Sequence, residues 1–356
     1  MTTEERARTL YVGVDVHKDT HTAVGLSSFG EKLFEMTIGN YQKDFRALEK
    51  KVESAKGSLS PYFGLEDCHG YGERLAAYIV ERYPLVHVSS VLVERDRKNQ
   101  THPEKSDALD ALGVANVMIR KIDALPAYTL TEEMKKAKQL KELSLDREYL
   151  VEERTRLKNH LHTLLHRIWN TEYQTVFKNP FTLKALKHWL RARPSCDPFL
   201  LRSMRRKAKR LVDLFHEVNE LEKEMRTLLD EGGYTIQTAS GCGVTVAATI
   251  VGEIGDIARF KSPGSLAKYA GCAPSECSSG KTKRFRKTKG GNRRLNCAFH
   301  HMALSQISRM GNDKAKTYFK RKVSEGKNKS QALVCLRRQM VPIVWMMLKY
   351  KTEYRP

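Results

Sequence analysis

The sequence has no C-x-x-C pair, and its seven cysteines are an odd number. That argues against a zinc site or a disulfide framework and suits a reducing compartment. No stretch of about 18 uncharged apolar residues occurs, so no membrane-spanning helix is expected. The opening MTTEERARTL lacks the apolar core of a secretory signal, which points to the cytoplasm. No internal repeat or long low-complexity tract is visible. The most informative scarcity is of acid. From Lys281 to Pro356 only Asp313, Glu325 and Glu353 are acidic, against 21 Lys or Arg, so most of the formal net charge of +22 sits in the last 76 residues. A charge of one sign so localised is the footprint of a polyanion. Nucleic acid fits better than a membrane surface, because the basic stretch Lys281–Arg294 has no apolar helical face.

What is present divides into three. TLYVGVDV, THTAVGLSS and LFEMTI read as strands, YQKDFRALEKKV as a helix, and PYFGLE as a fourth strand. GERLAAYIVERY follows as a helix, VHVSSVLV as a fifth strand and KSDALDALGVANVMIRK as a helix. The order βββαβαβα, opening with a meander, predicts an α/β domain of RNase H-like (RuvC-like) type over residues 1–128. Residues 129–231 read as a helical linker. Leu143, Leu150, Leu157 and Leu164 recur every seven residues, and Leu211, Leu214, Val218, Leu221, Met225 and Leu228 form a second seam. That spacing predicts a helical hairpin or a dimerising coiled coil. Residues 232–356 read as a mostly helical domain. Its ASGCGVTVAATIVGEIGDI stretch resembles a helix-hairpin-helix, whose backbone N–H groups at a helix start can hold a phosphate. The following SECSSGKTKRFRKTK reads as a polar loop, and the closing helix contains Pro342.

Asp15 ends an otherwise apolar strand, where a lone carboxylate costs several kcal/mol unless paired, protonated or bound to a metal. Glu66 ends the fourth strand, with Asp67 beside it as an alternative. Asp107 and Asp110 lie three apart and share one helical face. In an RNase H-like sheet these elements are central neighbours, so the four acids would converge. Two divalent cations would let them stay ionised together and would serve phosphoryl transfer. The histidines nearest these motifs are His17, His69, His300 and His301; His17 and His69 lie close in sequence to two of the acids and have a structural reading beside a phosphate-contacting one.

YVGVDVHK, LEDCHGYG and KSDALDA resemble motifs of the insertion-sequence-110 (DEDD) transposases, relatives of the Piv-type DNA invertases, and the resemblance continues through SGCGVTVAATIVGEIGDIARFKSPGSLAKYAGCAPSECSSG and GGNRRLNCAFHHMA. The resemblance implies that Asp15, Glu66, Asp107 and Asp110 hold Mg²⁺, as two ions with Mn²⁺ able to substitute. It also implies that Ser279, next to Ser278 in a G-x-x-P-x₄-S-G pattern, attacks a DNA phosphodiester. That would require the first and last domains to meet, within one subunit or between two. Lys281, Lys283, Arg284, Arg286, Lys287, Lys289, Arg293 and Arg294 would grip phosphates nearby, and Phe285 would stack on a base or anchor the loop. The implied partners are element-end and target DNA and a noncoding guide RNA. Joining two DNA molecules needs several active sites held together, so a homodimer or tetramer is expected, with the helical middle region as its interface, working in the cytoplasm on the nucleoid. Two rivals stand beside this reading: a RuvC-like junction resolvase in which water attacks, and a nucleic-acid-binding protein without activity.

Overall fold

A computed structural model describes residues 1–98, 106–279, 282–286 and 290–355, with 275–279 and 282–286 described by their backbone alone. The chain divides into two compact units, Met1–Thr131 and Glu132–Pro356.

In the first unit a short helix α1 (Thr3–Ala7) precedes β1 (Thr9–Val16), β2 (Thr20–Leu26) and β3 (Lys32–Gly39). Then come α2 (Gln42–Ala55), β4 (Ser60–Leu65), α3 (Glu73–Val80), β5 (Leu85–His87), α4 (Ser90–Lys98) and α5 (Asp107–Lys121). The sheet order is β3-β2-β1-β4-β5. The meander β1-β2-β3 is antiparallel, while β1, β4 and β5 run parallel. The central strands are buried on both faces, which explains why β1 reads as one apolar run rather than an alternation. Helix α2 buries Phe45, Leu48 and Val52 at helical spacing.

One element departs from the sequence expectation. The fifth strand stops at His87, and Ser90–Lys98 is helix α4. VHVSSVLV looks continuous because its β-branched residues favour strands. At Ser89, however, the carbonyl accepts from Leu92 N and starts a helical turn. Only Val93 and Asp96 of α4 are buried, and Asp96 pairs with Arg120 of α5.

The second unit begins with α6 (Glu132–Trp169), followed by α7 (Tyr173–Val176), α8 (Leu183–Arg191) and α9 (Pro198–Glu231). Helices α6 and α9 lie antiparallel, shown by the pairs Lys136–Glu231 (3.7 Å), Arg147–Glu222 (2.7 Å) and Arg210–Glu153 (2.8 Å). The seam on α9 buries Leu211, Leu214, Val218 and Met225. On α6 the heptad leucines Leu143, Leu150 and Leu157 are only half-buried, and the deepest residues cluster at its two ends. Ion pairs bridge the middle of the pair instead. The remainder comprises α10 (Val244–Ile254), α11 (Pro263–Tyr269), β6 (Ser275–Ser279), β7 (Thr282–Arg286), α12 (Arg293–Ile307), α13 (Asp313–Ser324) and α14 (Lys329–Tyr350). Their core takes in Leu140 of α6 and Met225 of α9. The stretch expected to be a polar loop is an antiparallel hairpin, β6 against β7. Paired backbone groups stabilise it where apolar alternation is absent.

Candidate catalytic centre

The site is built by glycines. Gly13 of β1 and Gly64 of β4 stand opposite each other in the parallel register. A Cβ on Gly13 would lie 2.4 Å from Ala111 O and Ala115 N of α5, and one on Gly64 would lie 2.3 Å from Met118 Sδ. Two bare positions on adjacent central strands therefore let α5 settle against the sheet. Asp15 lies two residues past Gly13 and Glu66 two past Gly64, so both acids share the face that α5 covers. Ser106 caps α5, its Oγ accepting from Leu109 N at 3.2 Å. Asp107 and Asp110 occupy the first turn, where the helix dipole favours carboxylates. The fold thus points the start of α5 at the ends of β1 and β4.

Asp15 is 6% exposed. Its Oδ2 is buried and receives no hydrogen bond, although His17 Nε2 lies 3.0 Å away at ion-pair distance. The same nitrogen lies 3.2 Å from Asp107 Oδ1. Asp15, His17 and Asp107 each offer a donor atom, and the three lie within 4.8 Å of one another. Burial chiefly makes Asp15 harder to ionise, with Asp110 and Asp107 adding repulsion against the opposing pull of His17. Glu66 is pushed up to about 7, first by burial and then by Asp15 and Asp110. Asp110 turns to Arg97, whose Nη1 donates to Oδ1 at 3.0 Å. An orphaned buried carboxylate oxygen, neighbouring acids that disfavour one another's charge, and a mostly oxygen donor set fit a hard divalent cation.

Three contributors escaped sequence reading. Arg97 sits on α4, whose first residues, Ser90 to Val93, read as the end of a strand. Gly13 and Gly64 were legible as glycines inside strands, a signal of close backbone approach. Asp67, the alternative to Glu66, accepts from the backbone N–H groups of His69, Gly70 and Tyr71 at 2.7–2.9 Å and so shapes the turn after β4. His69 packs its ring 5.5 Å from that of Tyr128. Burial holds the His300 imidazole below its ordinary range, helped by Arg337 and His301.

In the second unit Ser279 is the last residue of β6, its Cα opposite that of Thr282. Lys283, Arg284 and Arg286 lie on β7, while Lys281, Lys287 and Lys289 fall outside the described residues. Arg293 is exposed at the start of α12. Arg294 turns inward and donates to buried Glu253 on α10, to Ser144 Oγ at 2.9 Å and to Glu148 at 3.1 Å. That base is engaged by its own chain. Asn292 completes the shell, donating to Glu253 Oε2 at 2.6 Å.

An IS110-type DEDD family model described as a transposase matches residues 12–170, and the model for the transposase IS116/IS110/IS902 family matches residues 233–320. The chain is 27% identical over 393 residues to the uncharacterized 44.8 kDa protein of insertion element IS116 from Streptomyces clavuligerus, covering 98% of this chain and 96% of that one. It is 22% identical to the pilin gene-inverting protein of Moraxella bovis, with 97% of each chain covered. It is also 22% identical to the transposase for insertion sequence element IS1111A of Coxiella burnetii, covering 97% of this chain and 91% of that one. With matches to both halves and an acidic cluster at the first, the chain belongs to the IS110/IS116 family of insertion-element transposases.

Proposed function

We propose that this protein cuts and rejoins DNA by phosphoryl transfer, with Asp15, Glu66, Asp107 and Asp110 as its metal-binding quartet and Ser279 as its nucleophile. The observation that carries the reading is the buried, hydrogen-bond-free Oδ2 of Asp15 facing Asp107 and His17. The sheet order β3-β2-β1-β4-β5 with α5 across it supports an RNase H-like assignment. Mg²⁺, as two ions with Mn²⁺ able to substitute, is the cofactor this donor set suits; bound there it supplies Lewis-acid polarisation of phosphoryl oxygens and activation of an oxygen nucleophile. The chain's own residues divide the remaining work. Ser279 Oγ forms a bond to phosphorus as a bond from phosphorus to a sugar oxygen breaks. The serine gives up its proton and the freed sugar oxygen takes one. A second DNA end reverses the step, so no water is consumed and the strand is rejoined. Lys283, Arg284, Arg286 and Arg293, with Lys281, Lys287 and Lys289, hold the backbone by charge.

The excess of 21 bases over three acids after residue 280 supports a polyanion partner; the family resemblance makes these partners DNA and an element-encoded noncoding RNA. A dimer or tetramer supplies the several sites that joining two DNA molecules needs, and the helix-hairpin-helix-like turn before α10 adds a phosphate contact. Such a protein works in the cytoplasm on the nucleoid. Among the described residues no helix is long and apolar enough to cross a membrane.

The test is to trap a covalent protein–DNA adduct on element-end DNA with Mg²⁺. The adduct is expected with the parent and with Ser278→Ala, and is expected to vanish in Ser279→Ala. Cleavage without any adduct would mean that water attacks, as in a junction resolvase. Binding without cleavage would leave only a nucleic-acid-binding protein.

A further inference from the structure

The far end of the α6–α9 pair is a lobe with its own core. Leu161, Leu164 and Leu165 of α6 pack with Trp189 of α8 and with Met204 and Ala208 of α9. Between Arg167 and Lys209 the chain carries eleven Lys or Arg and only two acids, Glu172 and Asp197. Asp197 is spent on capping α9, accepting from Phe199 N at 2.8 Å. Arg167, Lys178, Lys184, Lys187, Arg191 and Arg193 are all exposed. None of the six is ion-paired among the described residues. A surface that merely aids solubility mixes both signs.

The lobe also holds an open cavity of about 530 Å³, within the range of small-ligand pockets. Trp169, His188, Arg193 and Glu172 are among its lining residues. Trp189 also lines it and is 1% exposed, with Nε1 donating to Pro180 O at 2.9 Å. Trp169 lies 5.4 Å from it. His188 meets it edge-on at 4.9 Å. This set has a flat half-exposed ring to stack on, a guanidinium for a phosphate, and a carboxylate to accept from an exocyclic amino group.

We infer that this distal lobe is a second nucleic-acid site, which takes one unstacked base of a single-stranded segment into the Trp169–His188 cavity while the surrounding bases hold its phosphates. A second copy of the chain is a poor occupant, since two such surfaces would bring like charges together. A bilayer is another poor occupant, because α8 spends its apolar face, Ala185, Leu186 and Trp189, on the lobe's core.

The full chain is titrated with a short fluorescent oligodeoxycytidylate and photo-crosslinked through thio-substituted bases. Crosslinks are expected on peptides carrying Trp169 or His188. Trp169→Ala is expected to weaken binding roughly 5- to 150-fold, as loss of one base stack does. Trp169→Phe should retain most of the affinity. The surface pair Lys187→Ala and Arg193→Ala should flatten the slope of log affinity against log salt by about 1.4, twice the single-strand value per phosphate. Crosslinks confined to other segments, or an unchanged salt slope in the surface pair, would overturn the inference; that pair decides the matter even where Trp169→Ala fails to fold. An Asp15→Asn chain should bind and crosslink like the parent, so failure of the lobe site is distinguishable from failure of the catalytic reading.

Discussion

Asp15 and Glu253 are both buried carboxylates, 6% and 7% exposed, yet their surroundings are opposite. Glu253 has a donor on each oxygen, Arg294 on one and Asn292 on the other, and it ties α10 to α12. Asp15 leaves Oδ2 without a hydrogen bond and has further acids for neighbours. A satisfied buried charge is a structural tie, whereas one with an orphaned oxygen among like charges is costly to the bare fold and suits a bound cation. The second unit uses Glu253 for cohesion, and the first, which pairs its other buried acid Asp96 with Arg120, gives up cohesion at Asp15.

The largest expected effect breaks that contrast directly. Asp15→Asn should lower Mg²⁺-dependent cleavage by at least about a thousandfold, several kcal/mol of transition-state stabilisation. The metal-free melting temperature should be unchanged or higher. Glu253→Ala should do the reverse, costing about 1–3 kcal/mol of stability, because Asn292 and Arg294 lose a buried acceptor even though Arg294 keeps Glu148. Paired thermal melts and cleavage assays check both, and matching phenotypes for the two variants would erase the distinction.

A middling effect sharpens how the first site is assembled. Gly13→Ala forces a Cβ against backbone atoms of α5, which cannot swing aside as a side-chain tip would. A cost of about 1–3 kcal/mol is expected. Cleavage at a temperature where the variant is still folded should fall further than stability explains, because α5 carries Asp107 and Asp110. Activity that merely tracks the folded fraction would reduce Gly13 to a packing residue.

The smallest effect is one of pH. Glu66 has a folded-state pKa of about 7 against 4.5 in the free chain, so the metal-free fold holds its proton more tightly than the unfolded chain does. Stability should therefore decline as pH rises from about 4.5 to 7 and level off above. Glu66→Gln removes that decline, raising stability by about 1–2 kcal/mol at pH 8 after allowance for solvent screening, with little change at pH 4. Melts in EDTA at both pH values check it. Identical pH profiles for parent and variant would mean that Glu66 is not crowded by its neighbours.

Part of this arrangement was legible residue by residue. The acid on an apolar strand, the two acids one helical turn apart behind a serine cap, and the lopsided charge of the C-terminus are each written in a few adjacent positions. So are the elements themselves, since burial on one helical face or on both strand faces leaves a periodic trace. The exceptions are instructive: VHVSSVLV misled because β-branched residues favour strands wherever they stand, while a turn at Ser89 decided otherwise.

Composition and periodicity thus determined most of the elements, α4 and the β6–β7 hairpin excepted, and which chemical groups they carry, because both are local properties of the chain. Only the tertiary structure decided which groups meet. Asp15 faces Asp107 and His17 because two glycines admit a helix against the sheet; Asp110 belongs to Arg97 because an unexpected helix delivers it; and Arg294 is consumed by Glu253 rather than left free. Each of these depends on the distance of closest approach between separate elements, and that distance is set by side-chain volume at the contact, which no periodicity within one element records.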